Sequence, residues 1–176
     1  HAFERAISAL TEAGREGKRI EFYGVGNSGI VALDAQHKFF RLGVHATAVS
    51  DGHVQVMSAT MLGPGDCVVI ISNSGLTRDL IDATEIARKK GATTIVMTAS
   101  GTPLAQMGQG AANHILLAVD HPEDYDRYSP MVSRLLHLVI IDILTTGVAL
   151  RLGGELRPML AEIKRNLRAK RYARAE

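Results

Sequence analysis

The chain has 176 residues, of which 46% are hydrophobic, enough for one domain with a buried core but hardly for two. A formal net charge of +2 is too small to indicate a nucleic-acid-binding protein, and the single cysteine, Cys67, excludes an internal disulfide framework and fits a reducing cytoplasm. Polar residues interrupt the apolar stretch from Leu135 to Leu152, which argues against a membrane span, so we expect a soluble, cytoplasmic protein.

Helical and extended patterns alternate along the chain. A first helix ends near Gly17, and a strand at 19–23, a helix to Leu42 and a strand at 45–50 follow it. Next come a helix at 54–62, a continuously apolar strand at 67–71 and a helix at 77–90. Strands at 93–98 and 114–119 flank a short helix from Thr102, and helices at 129–152 and beyond Leu156 complete the pattern.

This alternation predicts an α/β fold, a doubly wound five-stranded parallel sheet of order 2-1-3-4-5 with helices on both faces. In that order the chain reverses direction between the first and third strands, and ligands bind in the crevice beyond the carboxyl ends of those two strands. No linker or internal repeat divides the sequence, so residues 1–176 are predicted to form one domain.

Two loops rich in glycine and hydroxyl groups follow these two strands. They are Gly24-Val25-Gly26-Asn27-Ser28-Gly29 and Ser72-Asn73-Ser74-Gly75-Leu76-Thr77. Each opens a helix whose free amide groups and positive dipole end attract an anion, while glycine permits close approach and hydroxyls donate to phosphate oxygens. Helix capping is the simpler explanation, but three hydroxyls within six positions exceed that need. The loops therefore predict two halves of one phosphate cradle.

The spacing of Gly24, Gly26 and Gly29 also matches the fingerprint of dinucleotide-binding proteins, and Asp51 lies where that motif places an acid for the ribose. This alternative does not explain the second hydroxyl-rich loop, and the sequence identifies no nicotinamide pocket. We therefore expect no cofactor. The histidines show no spacing typical of a metal site, so we expect no metal either.

The two loops in a five-stranded α/β chain resemble those of SIS (sugar isomerase) domains, over about Phe3 to Leu152. The segments Ser50 to Gln55 and Gly65 to Thr77 are similar to the effector domain of RpiR-type transcriptional regulators, and most of all to the HexR-like group that controls hexose catabolism. The resemblance implies a sugar-phosphate sensor, with 2-keto-3-deoxy-6-phosphogluconate as the effector. Such regulators carry an N-terminal helix-turn-helix domain that is absent from this chain, so we expect contact with DNA only through that missing domain.

The resemblance places the phosphate on Ser72, Ser74 and Thr77 and brings Ser28 to the sugar end. Two asparagines extend these sets, Asn73 at the phosphate and Asn27 at the sugar, although turn formation explains both equally well. Lys38 follows the first loop, and a cation there would suit the carboxylate of a sugar acid, although a solvated lysine is the simpler explanation. His53, near the end of the second strand, is a further candidate at the sugar end.

The helix at 129–152 is apolar nearly all round, which predicts burial on several sides. Core packing is the simpler explanation. A subunit interface of a homo-oligomer, with a dimer expected, is the sharper one, and its candidate residues are Leu135, Leu138, Ile141 and Leu144. The basic face of the last helix is interpreted as solvated.

Two function classes remain open. One is a non-enzymatic sensor domain that binds a phosphorylated sugar acid, and the other is an aldose–ketose phosphate isomerase. Isomerisation needs a base near C2 of the sugar, and the candidates Glu21, Glu85, His121 and Glu123 are not convincingly placed by the sequence. We therefore expect a sensor without catalytic residues.

Overall fold

The computed structural model describes residues 1–122, 132–168 and 170. In chain order the described elements are α1 (Ala2–Arg15), β1 (Ile20–Tyr23), α2 (Asn27–Phe40), β2 (Ala46–Val49), α3 (Gly52–Met61), β3 (Cys67–Ile71), α4 (Arg78–Lys89), β4 (Thr93–Thr98), α5 (Pro103–Gln106), β5 (His114–Ala118), α6 (Val132–Leu152) and α7 (Arg157–Arg168). A 3-10 turn, Gly153–Glu155, joins the last two helices. The predicted start of α6 at 129 lies outside the described residues.

The five strands form one parallel sheet of order β2-β1-β3-β4-β5, which confirms the predicted topology. β1 lies between β2 and β3, with Ile20 level with Ala46 on one side and Cys67 on the other. All five residues of β3 are buried because helices cover both faces of the sheet. Burial raises the pKa of the Cys67 thiol to about 12, as expected for an inert core cysteine.

Helices α1, α2 and α6 cover one face of the sheet, and α3, α4 and α5 cover the other. Successive strand residues alternate between the two layers, so Phe22 faces the first layer and Tyr23 the second. The ring of Phe22 lies 5.1 Å from that of Phe39 on α2, which fixes α2 against the sheet. This arrangement holds the amino ends of α2 and α4 at the carboxyl edge of β1 and β3.

Among the described residues, α6 is the helix whose length and composition would suffice to cross a membrane. It packs against α1 and α2, however, and Ile141, Leu144 and Val148 are fully buried in the core. Gly147 permits this close packing, because an added Cβ would lie 2.5 Å from Cδ1 of Ile7 on α1. These contacts are those of a core helix in a layered α/β domain.

The exposed side of α6 differs from the predicted interface. Of the predicted residues, Leu135 is 58% exposed, Leu138 packs against the core, and Ile141 and Leu144 belong to it. The interface prediction was therefore wrong for Ile141 and Leu144, because an apolar pattern around the whole helix does not reveal which side the sheet covers. Seven of the large apolar residues that α2 and the adjacent α6 expose are here called the α2–α6 apolar face, and they are Ile30, Leu33, Phe40, Leu135, Val139, Ile143 and Leu150.

Buried His114, at the start of β5, makes the stability of the domain depend on pH. Its Nδ1 lies 2.8 Å from Oγ1 of Thr94. Burial, reinforced by the positive charges of Arg88 and Arg5, lowers the pKa of His114 below its ordinary value of 6.5. The folded protein thus disfavours a proton that the unfolded chain accepts. The contribution of neutral His114 to the free energy of unfolding is therefore complete above about pH 6.5 and is lost as the pH falls below that value.

We therefore expect the melting temperature to fall between about pH 7.5 and 5.5, and to fall less steeply in the His114→Gln variant. The control is His37→Gln, which replaces an exposed histidine on α2 and should keep the wild-type slope. Differential scanning calorimetry at several pH values measures the three slopes. Equal slopes in all three proteins would contradict a role for His114.

Candidate functional site

The two predicted loops lie side by side at the carboxyl edge of the sheet. β1 and β3 are neighbours, with Tyr23 level with Ile70, so the loops that follow them start about 5 Å apart. Side chains from both loops line one small cleft with residues near the start of α6. The lining residues are Asn27, Ser28, Val31, Asn73, Ser133, Arg134 and His137. The structure thus brings together Asn27, Ser28 and Asn73 from the predicted site.

The first loop depends on its glycines for its shape. Gly26 precedes α2 with a φ of 58° and a ψ of −127°, a conformation that L side chains rarely adopt. At Gly24 an added Cβ would lie 2.4 Å from the carbonyl oxygen of Ser28, so the loop folds directly onto the first turn of the helix. Gly26 occupies the N-cap position of α2 and has no side chain with which to cap the helix. The positive end of the α2 dipole is therefore open to an anion.

The hydroxyls of the second loop shape the loop and do not cap α4. Oγ of buried Ser72 accepts a hydrogen bond from the Gly75 amide at 3.1 Å, and Oγ of Ser74 accepts one from the Leu76 amide at 3.3 Å. Thr77 occupies the N-cap position of α4, but its side chain makes no capping hydrogen bond. A hydroxyl that accepts still has its proton to donate, so these groups remain able to bind an anion.

Gly75 holds the second loop against the neighbouring elements. Its φ is +60°, and an added Cβ would lie 2.3 Å from Oγ1 of Thr102 and 2.7 Å from Oγ1 of Thr98. Its carbonyl accepts the Leu104 amide at 3.3 Å. The second loop is therefore packed onto the end of β4 and the start of α5, with no room for a side chain at position 75.

The segment that follows β5 also reaches the second loop. Nε2 of His121 lies 3.2 Å from Oδ1 of Asn73, within hydrogen-bonding distance. Nearby, Asp120 accepts hydrogen bonds from the hydroxyl and the amide of Ser100, which hold the pKa of that carboxyl below its usual range and keep it ionised. Asn73 is therefore tied to a second segment of the carboxyl edge and does more than shape its own turn.

Gln55 is a site-supporting residue that the sequence analysis did not identify. It lies on α3 with no exposed surface, and its Nε2 donates to the carbonyls of Val49 at 2.8 Å and Gly24 at 3.3 Å. It therefore ties the end of β2 to the start of the first loop. The available signal was a polar residue one turn before buried Ala59, on the side of α3 that faces the sheet.

Two of the predicted sugar-end residues lie apart from the cleft. Lys38 lies eleven residues beyond Asn27, about 16 Å along α2, and forms ion pairs with Asp34 at 2.8 Å and Asp142 at 2.5 Å. The structure therefore does not bring Lys38 to the two loops. His53 is exposed in the first turn of α3, at the carboxyl edge of β2 but not among the residues that line the cleft.

The described residues place three of the four candidate bases. The carboxylate of Glu21 is buried and accepts hydrogen bonds from Tyr23 at 2.5 Å and Ser58 at 2.7 Å, and Glu85 pairs with Lys89 at 2.7 Å. His121 reaches the second loop, whereas Glu123 lies outside the described residues. Within the described part of the chain, no group of three or more metal-ligating side chains converges.

Comparison with known proteins gives the same family as the resemblance of the two loops. Residues 15–147, more than half of the chain, match the SIS domain family. The HTH-type transcriptional regulator HexR of Pseudomonas aeruginosa is 42% identical over 169 residues, which are 96% of this chain and 56% of that protein. The chain thus spans about half the length of this curated relative.

Two solved structures share the fold at low identity. The NanR protein of Vibrio vulnificus, complexed with ManNAc-6P, superposes with a TM-score of 0.80 at 22% identity and covers 97% of this chain and 62% of that one. Phosphoheptose isomerase GmhA from Neisseria gonorrhoeae gives a TM-score of 0.66 at 22% identity and covers 84% of each chain. The sheet order, the paired loops and the family match agree, and the chain belongs to the SIS domain family.

Proposed function

We propose that this domain senses a phosphorylated sugar acid for a transcriptional regulator of sugar catabolism, without converting its ligand. The observation that carries the proposal is the second loop, which places three hydroxyl-bearing residues beyond the carboxyl end of β3 and leaves α4 uncapped by a side chain. Likeness to HexR supports the regulatory role, and the NanR complex supports a phosphosugar as the ligand.

In this proposal the phosphate binds to Ser72, Asn73, Ser74 and Thr77, and the sugar lies toward Asn27, Ser28 and His53. Lys38 has no part in it, because two carboxylates already neutralise that cation away from the loops. The effector that we propose is 2-keto-3-deoxy-6-phosphogluconate. DNA binding then belongs to a helix-turn-helix domain joined to this one, and the regulator acts in the cytoplasm.

Sugar-phosphate isomerisation is the second candidate. The fold shared with phosphoheptose isomerase favours it, as does His121, which lies beside the second loop and could act as a base. Against it, the buried Glu21 is already bonded to two hydroxyls and Glu85 is held by a lysine on its own helix. Steady interconversion of aldose and ketose phosphates, lost in a His121→Gln variant, would reject the non-enzymatic proposal.

Replacing Ser74 with alanine tests the cradle. Loss of one or two hydrogen bonds to a charged phosphate should weaken binding of 2-keto-3-deoxy-6-phosphogluconate by about 1.5 to 3 kcal/mol for each bond. The fold should be little affected, because Ser74 is partly exposed and its hydroxyl accepts only the Leu76 amide. Isothermal titration calorimetry measures the affinity, and circular dichroism checks the fold.

The matched control is Thr60→Ala. This hydroxyl is exposed on α3 and bonds within its own helix to the Val56 carbonyl, so its loss should leave the affinity at the wild-type value. An unchanged affinity in the Ser74→Ala variant would reject the cradle. An equal loss in both variants would indicate a general effect on the fold.

We also propose that the α2–α6 apolar face is the contact between two copies of the domain in a homodimer. Seven large apolar side chains on two adjacent helices are each 44% or more exposed. An exposed apolar surface of this kind is typical of a protein interface. A groove between α1 and α6, with a volume of about 450 Å³ and with Ile7, Val139 and Leu150 in its walls, continues this surface.

A further inference from the structure

The cleft between the two loops receives a charged residue from α6. Arg134 lies in the first turn of that helix and lines the cleft with Asn27 and Ser28 from the first loop and Asn73 from the second. The volume of the cleft is about 20 Å³, which is room for one small polar group and not for a whole sugar. Such a space is suited to the end group of a ligand whose larger part lies over the loops.

Arg134 differs from several other cations of the chain in its ion pairing. Lys38 pairs with Asp34 and Asp142, Arg19 pairs with Asp66, and Arg78 pairs with Asp82 at 3.5 Å. Among the side chains that the structure describes, no carboxylate forms an ion pair with Arg134. Arg134 is exposed and lines the cleft, so its guanidinium can bind a ligand carboxylate without breaking an ion pair to a described side chain.

Three carboxylates at this edge would repel a ligand carboxylate. Asp51 caps α3, Asp79 lies against Gly52 at the start of the same helix, and ionised Asp120 follows β5. A ligand with a phosphate at one end and a carboxylate at the other therefore needs a cation at the second end. Guanidinium binds carboxylate through two parallel hydrogen bonds, and the hydroxyl of Ser28 and the amide of Asn27 offer further neutral donors in the same cleft.

We propose that Arg134 is the specificity-determining residue that recognises the carboxylate of the ligand, an inference that rests on the proposed sugar-phosphate function. The phosphate binds to the second loop, and the carboxylate end lies in the cleft against Arg134. Arg134 thereby takes the role that the sequence analysis gave to Lys38.

The test uses two open-chain ligands that differ only at carbon 1. One is 6-phosphogluconate, with a carboxylate, and the other is sorbitol 6-phosphate, with a hydroxymethyl group. Isothermal titration of the wild type should show a preference of about tenfold or more for 6-phosphogluconate. In Arg134→Gln the affinity for 6-phosphogluconate should fall by about 10- to 100-fold, while that for sorbitol 6-phosphate should change by less than about threefold. Arg134→Lys should keep part of the preference.

Arg78→Gln is the matched control, since it removes the same charge from the same edge but does not line the cleft. It should leave the ratio of the two affinities unchanged. The inference is overturned if the wild type has no preference, or if Arg134→Gln lowers both affinities equally, which would place Arg134 at the phosphate. The proposed function fails separately, if the wild type binds neither these two ligands nor 2-keto-3-deoxy-6-phosphogluconate, or if Ser74→Ala binds all three as well as the wild type does.

Discussion

An alanine at position 75 is expected to destabilise the domain by about 2 to 4 kcal/mol and to weaken sugar-phosphate binding by about 100-fold or more. The positive φ of Gly75 is strained for any L residue, and its Cβ would lie 2.4 Å from Cβ of Thr102. Relief requires the second loop to move away from β4, and Ser72 and Ser74 would move with it. Urea unfolding measures the stability, and calorimetric titration measures the affinity.

Two other glycines separate the effect of backbone strain from the effect of steric overlap. Gly17 also has a positive φ, +64°, but has no atom within 4 Å of an added Cβ, so Gly17→Ala should show backbone strain alone, about 1 kcal/mol. Gly101 has neither a positive φ nor a close neighbour, and Gly101→Ala should be nearly neutral. If Gly75→Ala proves as mild as Gly101→Ala, close packing at Gly75 does not hold the loop.

Replacing Val139 with aspartate is expected to dissociate the proposed dimer. Val139 is 53% exposed in the middle of the α2–α6 apolar face, and the substitution would bury an unpaired carboxylate in each copy, close to Asp142. An uncompensated buried charge costs about 3 to 5 kcal/mol, which raises the dissociation constant by at least about 100-fold. Sedimentation velocity over a range of protein concentrations measures the change, and the melting curve of the monomer verifies its fold.

Met57→Asp is the matched control. Met57 is 63% exposed on α3, in the helical layer on the opposite face of the sheet, and its replacement should not affect self-association. Dissociation by Met57→Asp instead of Val139→Asp would place the interface on the other layer. A wild-type domain that is monomeric at all concentrations would reject the dimer altogether.

The sequence predicted the fold well because the relevant signals are local. A strand covered on both faces must be apolar throughout, as Cys67–Ile71 is, and alternation of strands with helices leaves few topologies for a parallel sheet. The topology in turn predicted that Ser28 and Asn73, far apart in the chain, would approach one another. Both now line one cleft.

The rest of the site depends on contacts that no local pattern encodes. The position of Lys38 is determined by Asp142, 104 residues away, and Arg134 reaches the cleft only because α6 packs against α2. The same limit applies to α6, because its exposed residues can be distinguished from its buried ones only when the packing of the sheet is known. Gln55 was missed because glutamine is common on exposed helical surfaces, and its burial is a property of the tertiary structure.

One helix connects the ligand site to the proposed subunit contact. The first turns of α6 carry Ser133, Arg134 and His137 to the cleft, and its later turns carry Val139, Ile143 and Leu150 on the apolar face. From Arg134 to Leu150, α6 is one continuous helix about 24 Å long. A tilt of α6 that moves Arg134 also moves Leu150. In the proposed dimer, a tilt of α6 on ligand binding would therefore change the relative orientation of the two subunits.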